Sequence, residues 1–354
     1  VIPIENPLVF SFLLVVRNEE AYIRNLLESV LNQDFPQDRY EVIVVDGESQ
    51  DSTPQIVEEF QRRYPGRIRY LSNPQRTLAP GWNLGIQHSR GEYVIRVDGH
   101  SQIPPDFLSS TYRVAQRVPE ASCVGGVVET KGSGFWGEVN AYVYSHPFGV
   151  GNSKFRTTKK KWEGYVDTVP YGAYKREIFE RVGLFSDELK RNEDLEMHAR
   201  IRRSGGSFFL STTVRSTYFV RNTLSAFLKK SYSDGKWTIV ASKRGSGVLR
   251  WRHYIPLVVV LTSLVLGVAS FFSTVAWFTL LALITVYFSI LIGSSWGIVK
   301  KGWKYFLPCM LSFFLLHFSR GFGSAASYLS RHYWRGDRVH EEQRYDNNAT
   351  NIAR

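Results

Sequence analysis

The sequence predicts an α/β fold, a doubly wound and mostly parallel sheet, followed by C-terminal transmembrane helices. Three observations predict it. Between residue 8 and about residue 130, short runs that are apolar on both faces alternate with segments whose apolar residues recur at helical spacing. Two of the strand-like runs stop at an acidic residue followed by glycine, Asp46-Gly47 and Asp98-Gly99. Finally, from Ile255 to Val299 there is not one Asp, Glu, Lys or Arg.

The elements follow in order. Val9 to Val16 is apolar and ends at Arg17-Asn18-Glu19-Glu20, after which Ile23, Leu26, Leu27, Val30 and Leu31 mark a helix. Glu41 to Val45 is a Val/Ile strand stopped by Asp46-Gly47. Thr53 to Tyr64 carries Ile56, Val57 and Phe60 on one helical face, with Asp51 or Ser52 as its cap. Ile68 to Leu71 is a short strand, and a helix is expected near Gly81 to Ser89. Tyr93 to Val97 is a strand stopped by Asp98-Gly99, Leu108, Tyr112 and Ala115 mark a helix, and Cys123 to Val128 is another strand. Further on, Leu195 to Arg203 reads as a helix preceded by Glu193-Asp194.

The charge-free stretch holds two near-continuous apolar runs, Ile255 to Phe272 and Val275 to Ile292, joined by little more than Ser273-Thr274. Each is long enough to cross a bilayer, which takes about 20 apolar residues. A third run, Phe306 to Phe318, contains His317 and stops at Arg320, and length alone does not decide whether it spans. Seven Lys/Arg against one acid lie between Lys229 and Arg252, and Lys300, Lys301 and Lys304 follow the second run. Positive flanks stay cytoplasmic, so a hairpin with the N-terminal region in the cytosol is expected. Val1 to Pro7 lacks a basic segment followed by an apolar core, so no secretory signal is expected there. The expected organisation is a cytosolic domain over residues 1–240, a membrane region of two to three helices over 241–330, and a polar tail over 331–354.

Composition narrows the function. The chain has 354 residues, 44 Lys+Arg against 32 Asp+Glu, and only two cysteines, Cys123 and Cys309. A disulfide scaffold and a Cys-rich zinc site are excluded. The basic excess suits nucleic acid, an anionic membrane or phosphorylated substrates. Much of it flanks the apolar runs, which favours the membrane and argues against nucleic acid.

In open α/β sheets, ligands sit beyond the carboxyl ends of the strands, which is where Arg17, Glu19, Asp46 and Asp98 fall. Asp46 can accept hydrogen bonds from a base or ribose, or can simply close a turn. Asp98 and His100, two residues apart, can share a divalent ion such as Mn²⁺ or Mg²⁺, or can form an exposed Asp-Gly turn. Glu193-Asp194 can supply a general base or can only favour a helix N-terminus. No phosphate loop of the Gly-x-x-x-x-Gly-Lys type and no Gly-x-Gly-x-x-Gly after the first strand is present, which disfavours a dinucleotide fold.

Taken together, Leu14-Val15-Val16-Arg17-Asn18-Glu19, Val44-Val45-Asp46-Gly47-x-Ser49-x-Asp51-x-Thr53, Gly81-Trp82-Asn83-x-Gly85, Gly91-Glu92-Tyr93-Val94-x-x-Val97-Asp98-x-His100 and Glu193-Asp194 form one pattern. It resembles the family 2 nucleotide-sugar glycosyltransferases, whose GT-A fold is a Rossmann-like, mostly parallel sheet. The resemblance covers roughly residues 8 to 240. With the membrane hairpin, the chain looks like the bacterial exopolysaccharide transferases of the succinoglycan-biosynthesis type.

The resemblance implies roles. Asp46 would bind the uracil or ribose, with Arg17 and Glu19 around the nucleoside. Asp98 would be the first Asp of the Asp-x-Asp metal motif; His100 stands in the second position, a departure that keeps a competent Mn²⁺ ligand. Asp194 would be the catalytic base, beside Glu193 in the substrate site. Processive relatives carry Gln-x-x-Arg-Trp; this chain has Ser233-x-x-Lys236-Trp237 instead, which argues against a processive synthase. Lys236 could still meet a phosphate and Trp237 a sugar or acceptor. Tyr171-Gly172-Ala173 falls at the donor-sugar pocket of the family or is a turn, and Arg76 is a phosphate contact or a surface charge.

The implied reaction is a metal-dependent, inverting transfer of a hexose from a UDP-sugar to a polyprenyl-diphosphate-linked saccharide. It would take place at the cytosolic face of the inner membrane, with membrane lipids as partners. Two other readings are a polyprenyl-phosphate sugar transferase and a catalytically inactive membrane scaffold of a polysaccharide assembly complex. Asp46, Asp98 and Asp194 speak against the scaffold.

Overall fold

The computed structural model describes residues 7–331 together with 333 and 334. The expectations for the chain start and for the 331–354 tail fall almost wholly outside the described residues. The chain forms two compact units. The first comprises the residues up to Lys131 and Asn152–Phe219; the second comprises Gly132–Gly151 and the chain from Val220 onward.

The first unit opens with β1 (Phe10–Val16), α1 (Ile23–Leu31), β2 (Tyr40–Asp46), α2 (Thr53–Arg63), β3 (Ile68–Ser72), α3 (Leu78–His88) and β4 (Tyr93–Asp98). It continues with β5 (Ser101–Gln102), α4 (Phe107–Arg117) and β6 (Cys123–Lys131). The chain then forms α5 (Gly134–Ser145) and α6 (Pro147–Val150) in the second unit. It returns with α7 (Lys154–Thr157), β7 (Glu163–Val166), β8 (Ala173–Lys175), α8 (Glu177–Val182), α9 (Glu193–Arg203) and β9 (Phe208–Phe219).

The strand order is β3-β2-β1-β4-β8-β6-β9-β5, with β7 paired to β9. β1 lies parallel to both β2 and β4, β2 is parallel to β3, and β6 is parallel to β9. β8 runs antiparallel between β4 and β6, and β5 and β7 run antiparallel to β9.

All seven residues of β1 are buried, as a central strand covered on both faces requires. Because side chains alternate along a strand, Phe10, Phe12, Leu14 and Val16 enter one core layer, with Leu26, Val30, Phe60 and Phe107. Leu13 and Val15 enter the other, with Trp82, Phe179, Phe185 and Met197. The acids Glu193 and Asp194 sit within the first turn of α9 rather than ahead of it. Asp51, not Ser52, caps α2, with Oδ1 accepting the Thr53 N–H at 3.0 Å.

The second unit adds α10 (Leu224–Ser242), α11 (Trp251–Ala269), α12 (Thr274–Trp296) and α13 (Phe306–Ser327). α11, α12 and α13 are each long and apolar enough to cross a membrane. α12 exposes Trp277, Phe278, Leu281, Ile284, Phe288 and Ile292, a surface that water does not suit. α13 continues as a helix past Arg320, where the apolar run ends.

α13 runs among α5, α10, α11 and α12. Phe313 stacks near Tyr142 and Phe148, and the His317 ring is occupied on both sides by Tyr287 OH at 3.0 Å and the Phe148 carbonyl at 2.8 Å. Against α10 the approach is backbone to backbone. A Cβ on Gly235 would stand 2.1 Å from the Arg320 carbonyl oxygen, and one on Gly323 2.1 Å from that of Tyr232. Only glycine permits such a crossing.

Candidate active site

The sheet register brings two carboxylates to one rim. At the end of β1, Val16 pairs with Asp46 and Val15 pairs with Asp98. The two acids therefore close the strands on either side of β1, where open α/β sheets place their ligands.

The loops after β1 and β2 are laced together. The Asn18 N–H donates to Ser49 Oγ at 2.8 Å, and the Gln50 N–H donates to Asn18 Oδ1 at 2.8 Å. The Glu19 N–H donates to Thr53 Oγ1 at 2.9 Å, and the Glu20 N–H to Asp51 Oδ2 at 3.1 Å. Asp46 is 2% exposed and accepts from Ser49 Oγ at 2.5 Å, Ser49 N–H at 3.0 Å and Tyr70 OH at 3.0 Å. Burial first, then the bond to Asp46, pushes the Tyr70 phenol well above its ordinary pKa. Arg17 is exposed over Gly47. Arg76 is paired with Glu48, both at positive φ, so its charge is already answered within the rim.

On the other side of β1, β4 ends in Asp98-Gly99-His100. Tyr171 OH donates to Asp98 Oδ2 at 3.4 Å and accepts from Ser101 Oγ at 2.6 Å. His100 packs edge-on to Tyr218 with ring centres 5.2 Å apart, and its Nδ1 lies 3.5 Å from Glu19 Oε1. The Arg156 guanidinium also lies over this ring, 5.1 Å from its centre.

The third acid group comes from α9. Glu193 is 4% exposed, and its Oε1 lies 3.3 Å from Nη2 of Arg96, a largely but not fully buried arginine of β4. Burial raises the Glu193 pKa to about 7, with Arg96 opposing and Asp194 and Asp98 adding to the rise. Burial also works against the Arg96 charge, but Tyr174, Glu193, Asp194 and Asp98 outweigh it and hold the guanidinium charged. Asp194 is half-buried beside Glu193, its Oδ1 accepting the Leu195 N–H at 2.8 Å.

The first unit thus brings together Arg17, Glu19, Asp46, Asp98, His100, Glu193 and Asp194 through β1, β2, β4 and α9. Lys236 and Trp237 belong to α10 in the second unit, where Trp237 is buried. Sequence reasoning did not single out Arg96 or Tyr70. The available signal for Arg96 was a lone arginine within the apolar run Tyr93-Val94-Ile95-Arg96-Val97.

Among the described residues no group of three or more His, Cys, Asp or Glu is arranged to hold a metal ion. The donor chemistry nevertheless fits a divalent ion held partly by substrate. Asp98 supplies a carboxylate and His100 an imidazole, donor types that suit Mn²⁺ or Mg²⁺, and His100 Nδ1 is turned to Glu19 at 3.5 Å.

The fold and this rim define a glycosyltransferase of the GT-A type. Residues 11–183 match the family model described as Glycosyl transferase family 2, so this segment is a domain of that family and the chain is a glycosyltransferase.

Over 262 residues it is 26% identical to a dolichyl N-acetyl-alpha-D-glucosaminyl phosphate 3-beta-D-2,3-diacetamido-2,3-dideoxy-beta-D-glucuronosyltransferase of Methanococcus voltae. That match takes in 72% of this chain and 81% of the relative. It is 24% identical to the succinoglycan biosynthesis protein ExoA of Rhizobium meliloti, over 68% of this chain and 72% of that protein. Among solved structures, a mannosyltransferase from Pyrobaculum calidifontis, in complex with GDP-Man and Mn²⁺, shares the fold. Its TM-score is 0.60 at 18% identity, over 92% of this chain and 88% of that one.

Proposed function

We propose that this protein moves a hexose, with inversion, from a UDP-sugar to a lipid-linked saccharide at the cytosolic face of a membrane. The observation that carries the reading is the register that sets Asp46 and Asp98 on either side of β1, with the acidic first turn of α9 nearby in the same unit.

In this reading Asp46 receives the nucleoside, flanked by Arg17 and Glu19. Its carboxylate is preorganised by Ser49 and Tyr70, so binding costs little reorganisation. Asp98 and His100 would hold a divalent cation, which supplies charge neutralisation at the departing diphosphate. The mannosyltransferase of similar fold was crystallised with Mn²⁺, which supports this choice. Asp194 takes the proton from the acceptor hydroxyl as that oxygen attacks the anomeric carbon. The bond to the nucleotide breaks in the same displacement, and the configuration inverts. Glu193, adjacent to the base, contacts Arg96.

The lipid-linked acceptor is supported by the Methanococcus relative, whose name specifies a dolichyl-linked sugar phosphate, and by the three apolar helices. The basic flanks at Lys229–Arg252 and Lys300–Lys304 support a cytosolic catalytic unit.

The test is nucleotide release by the detergent-purified chain, offered UDP- and GDP-sugars with Mn²⁺, Mg²⁺ or EDTA and a membrane lipid extract. Metal-dependent release of UDP with one donor and a glycosylated lipid product is the expected result. Release with a bare polyprenyl phosphate would select the lipid-phosphate transferase. GDP release would move the donor assignment, and undiminished release in EDTA would remove the metal.

A further inference from the structure

We propose that Arg96 is a positioning residue for the transfer: it ties the helix start that bears Asp194 to the strand that bears Asp98. The proposal rests on the reading of Asp194 as the base.

Arg96 and Asp98 are two residues apart on β4 and therefore point to the same side of the sheet. That side is the core layer holding Trp82 and Phe185. The guanidinium carbon of Arg96 lies 4.5 Å from the Trp82 ring centre and 4.6 Å from that of Phe185. A flat cation held against two rings has little freedom to turn. From this clamp Nη2 reaches Glu193 Oε1 at 3.3 Å, and both side chains are nearly sealed from solvent, at 13% and 6% exposure.

The clamp is itself fixed. Asn83, next to Trp82, donates to the Phe185 carbonyl at 2.8 Å and to Asp187 Oδ1 at 2.7 Å, and accepts the Phe185 N–H at 2.8 Å. The segment Gly81-Trp82-Asn83 thus holds both rings of the clamp: one is its own, and the other is bound by its asparagine. The chain of contacts runs from Asn83 to Phe185, to Arg96, to Glu193 and so to the adjacent Asp194. Asp98, Glu193 and Asp194 are also the acids whose charge Arg96 feels. One buried cation therefore sits among the three carboxylates that the reaction needs in fixed relation. An error of about 1 Å in such a relation can cost about 100-fold in rate.

Lysine keeps the charge but offers neither the flat face nor the fork. The experiment compares Arg96→Lys, Arg96→Met and Asp194→Asn in the full chain, measuring kcat, donor KM, nucleotide affinity and melting temperature. Arg96→Lys is expected to lose about 10- to 100-fold in kcat while donor KM and nucleotide affinity stay within about twofold, with a cooperative melt. Arg96→Met should lose at least as much. A purely structural role would lower binding and melting together and leave no such split, and that outcome overturns the proposal. Wild-type kcat in Arg96→Lys beside an inactive Asp194→Asn also overturns it, leaving the base reading intact. An active Asp194→Asn overturns the base reading itself.

Discussion

Glu19 Oε1 lies 3.5 Å from His100 Nδ1, and Gly99 makes that approach possible. A Cβ on Gly99 would stand 2.8 Å from the Glu19 carboxyl carbon. A carboxylate behind an imidazole is the usual way to fix the ring that holds a metal with its other nitrogen. If His100 holds the metal in the reading proposed above, the loop after β1 supplies its orienting partner in Glu19. Gly99→Ala should displace Glu19 and weaken Mn²⁺ binding about 10-fold or more, with little change in melting temperature. Titration of Mn²⁺ by electron paramagnetic resonance checks this without reference to turnover. Unchanged affinity would detach Glu19 from the metal.

Asp46 is gripped by three donors, and only one of them, Tyr70, comes from outside its own loop. Tyr70→Phe should cost about 1 kcal/mol of stability, the worth of one buried hydrogen bond. It should leave nucleotide affinity within a few-fold. Asp46→Ala should weaken nucleotide affinity more than 10-fold, because it removes the acceptor itself. Calorimetric titration with UDP separates the two. Equal losses would make Asp46 a framework residue.

His198 of α9 is buried between Thr168 Oγ1 at 2.8 Å and Tyr174 OH at 2.5 Å. Burial first, then Arg96 and Arg202, pull its pKa from an ordinary 6.5 down to about 3. A depressed folded-state pKa means that the stability is fully present above pH 6.5 and is lost as pH falls from 6.5 toward 3. At pH 5 the loss is about 2 kcal/mol. Melting curves of the wild type and His198→Gln between pH 7.5 and 5 test this. The variant should start lower and fall less, and parallel curves would refute the assignment.

Gly235 and Gly323 let α10 and α13 cross at backbone distance. Gly235→Ala puts a methyl group where the Arg320 carbonyl stands, so the helices must separate. Overpacking of this kind costs about 1–3 kcal/mol. Thermal unfolding in detergent should show the loss, and nucleotide affinity should be unchanged if the first unit folds independently of this crossing. A melting temperature equal to wild type would mean that the helices are not held at this distance.

Much of the rim was legible because a parallel strand that ends in Asp-Gly announces both its end and its side, as at Asp46 and Asp98. The apolar helices were legible because 45 residues without charge need an apolar solvent. What escaped was whatever depends on distant partners. β8 is three residues long and lies antiparallel between β4 and β6, and no local pattern marks so short an element. Arg96 looks like an interruption of an apolar strand until Trp82, Phe185 and Glu193 are seen around it. α5 falls within the span expected to form the first domain, yet its Tyr142 meets Phe313 of α13, more than 150 residues away in sequence.

That last separation has a consequence for biosynthesis. α5 leaves the ribosome long before α13, its packing partner, whose last residue, Ser327, lies 176 positions beyond Gly151. At about 5–20 residues per second the wait is roughly 10–35 seconds. The strands on either side of α5 can be made and paired within that interval. The nascent chain therefore holds an orphaned helix, looped out between β6 and α7, until the late apolar helices arrive to claim it. The second unit cannot be completed from its C-terminal helices alone, so a truncated chain that began at Val220 would lack part of that unit.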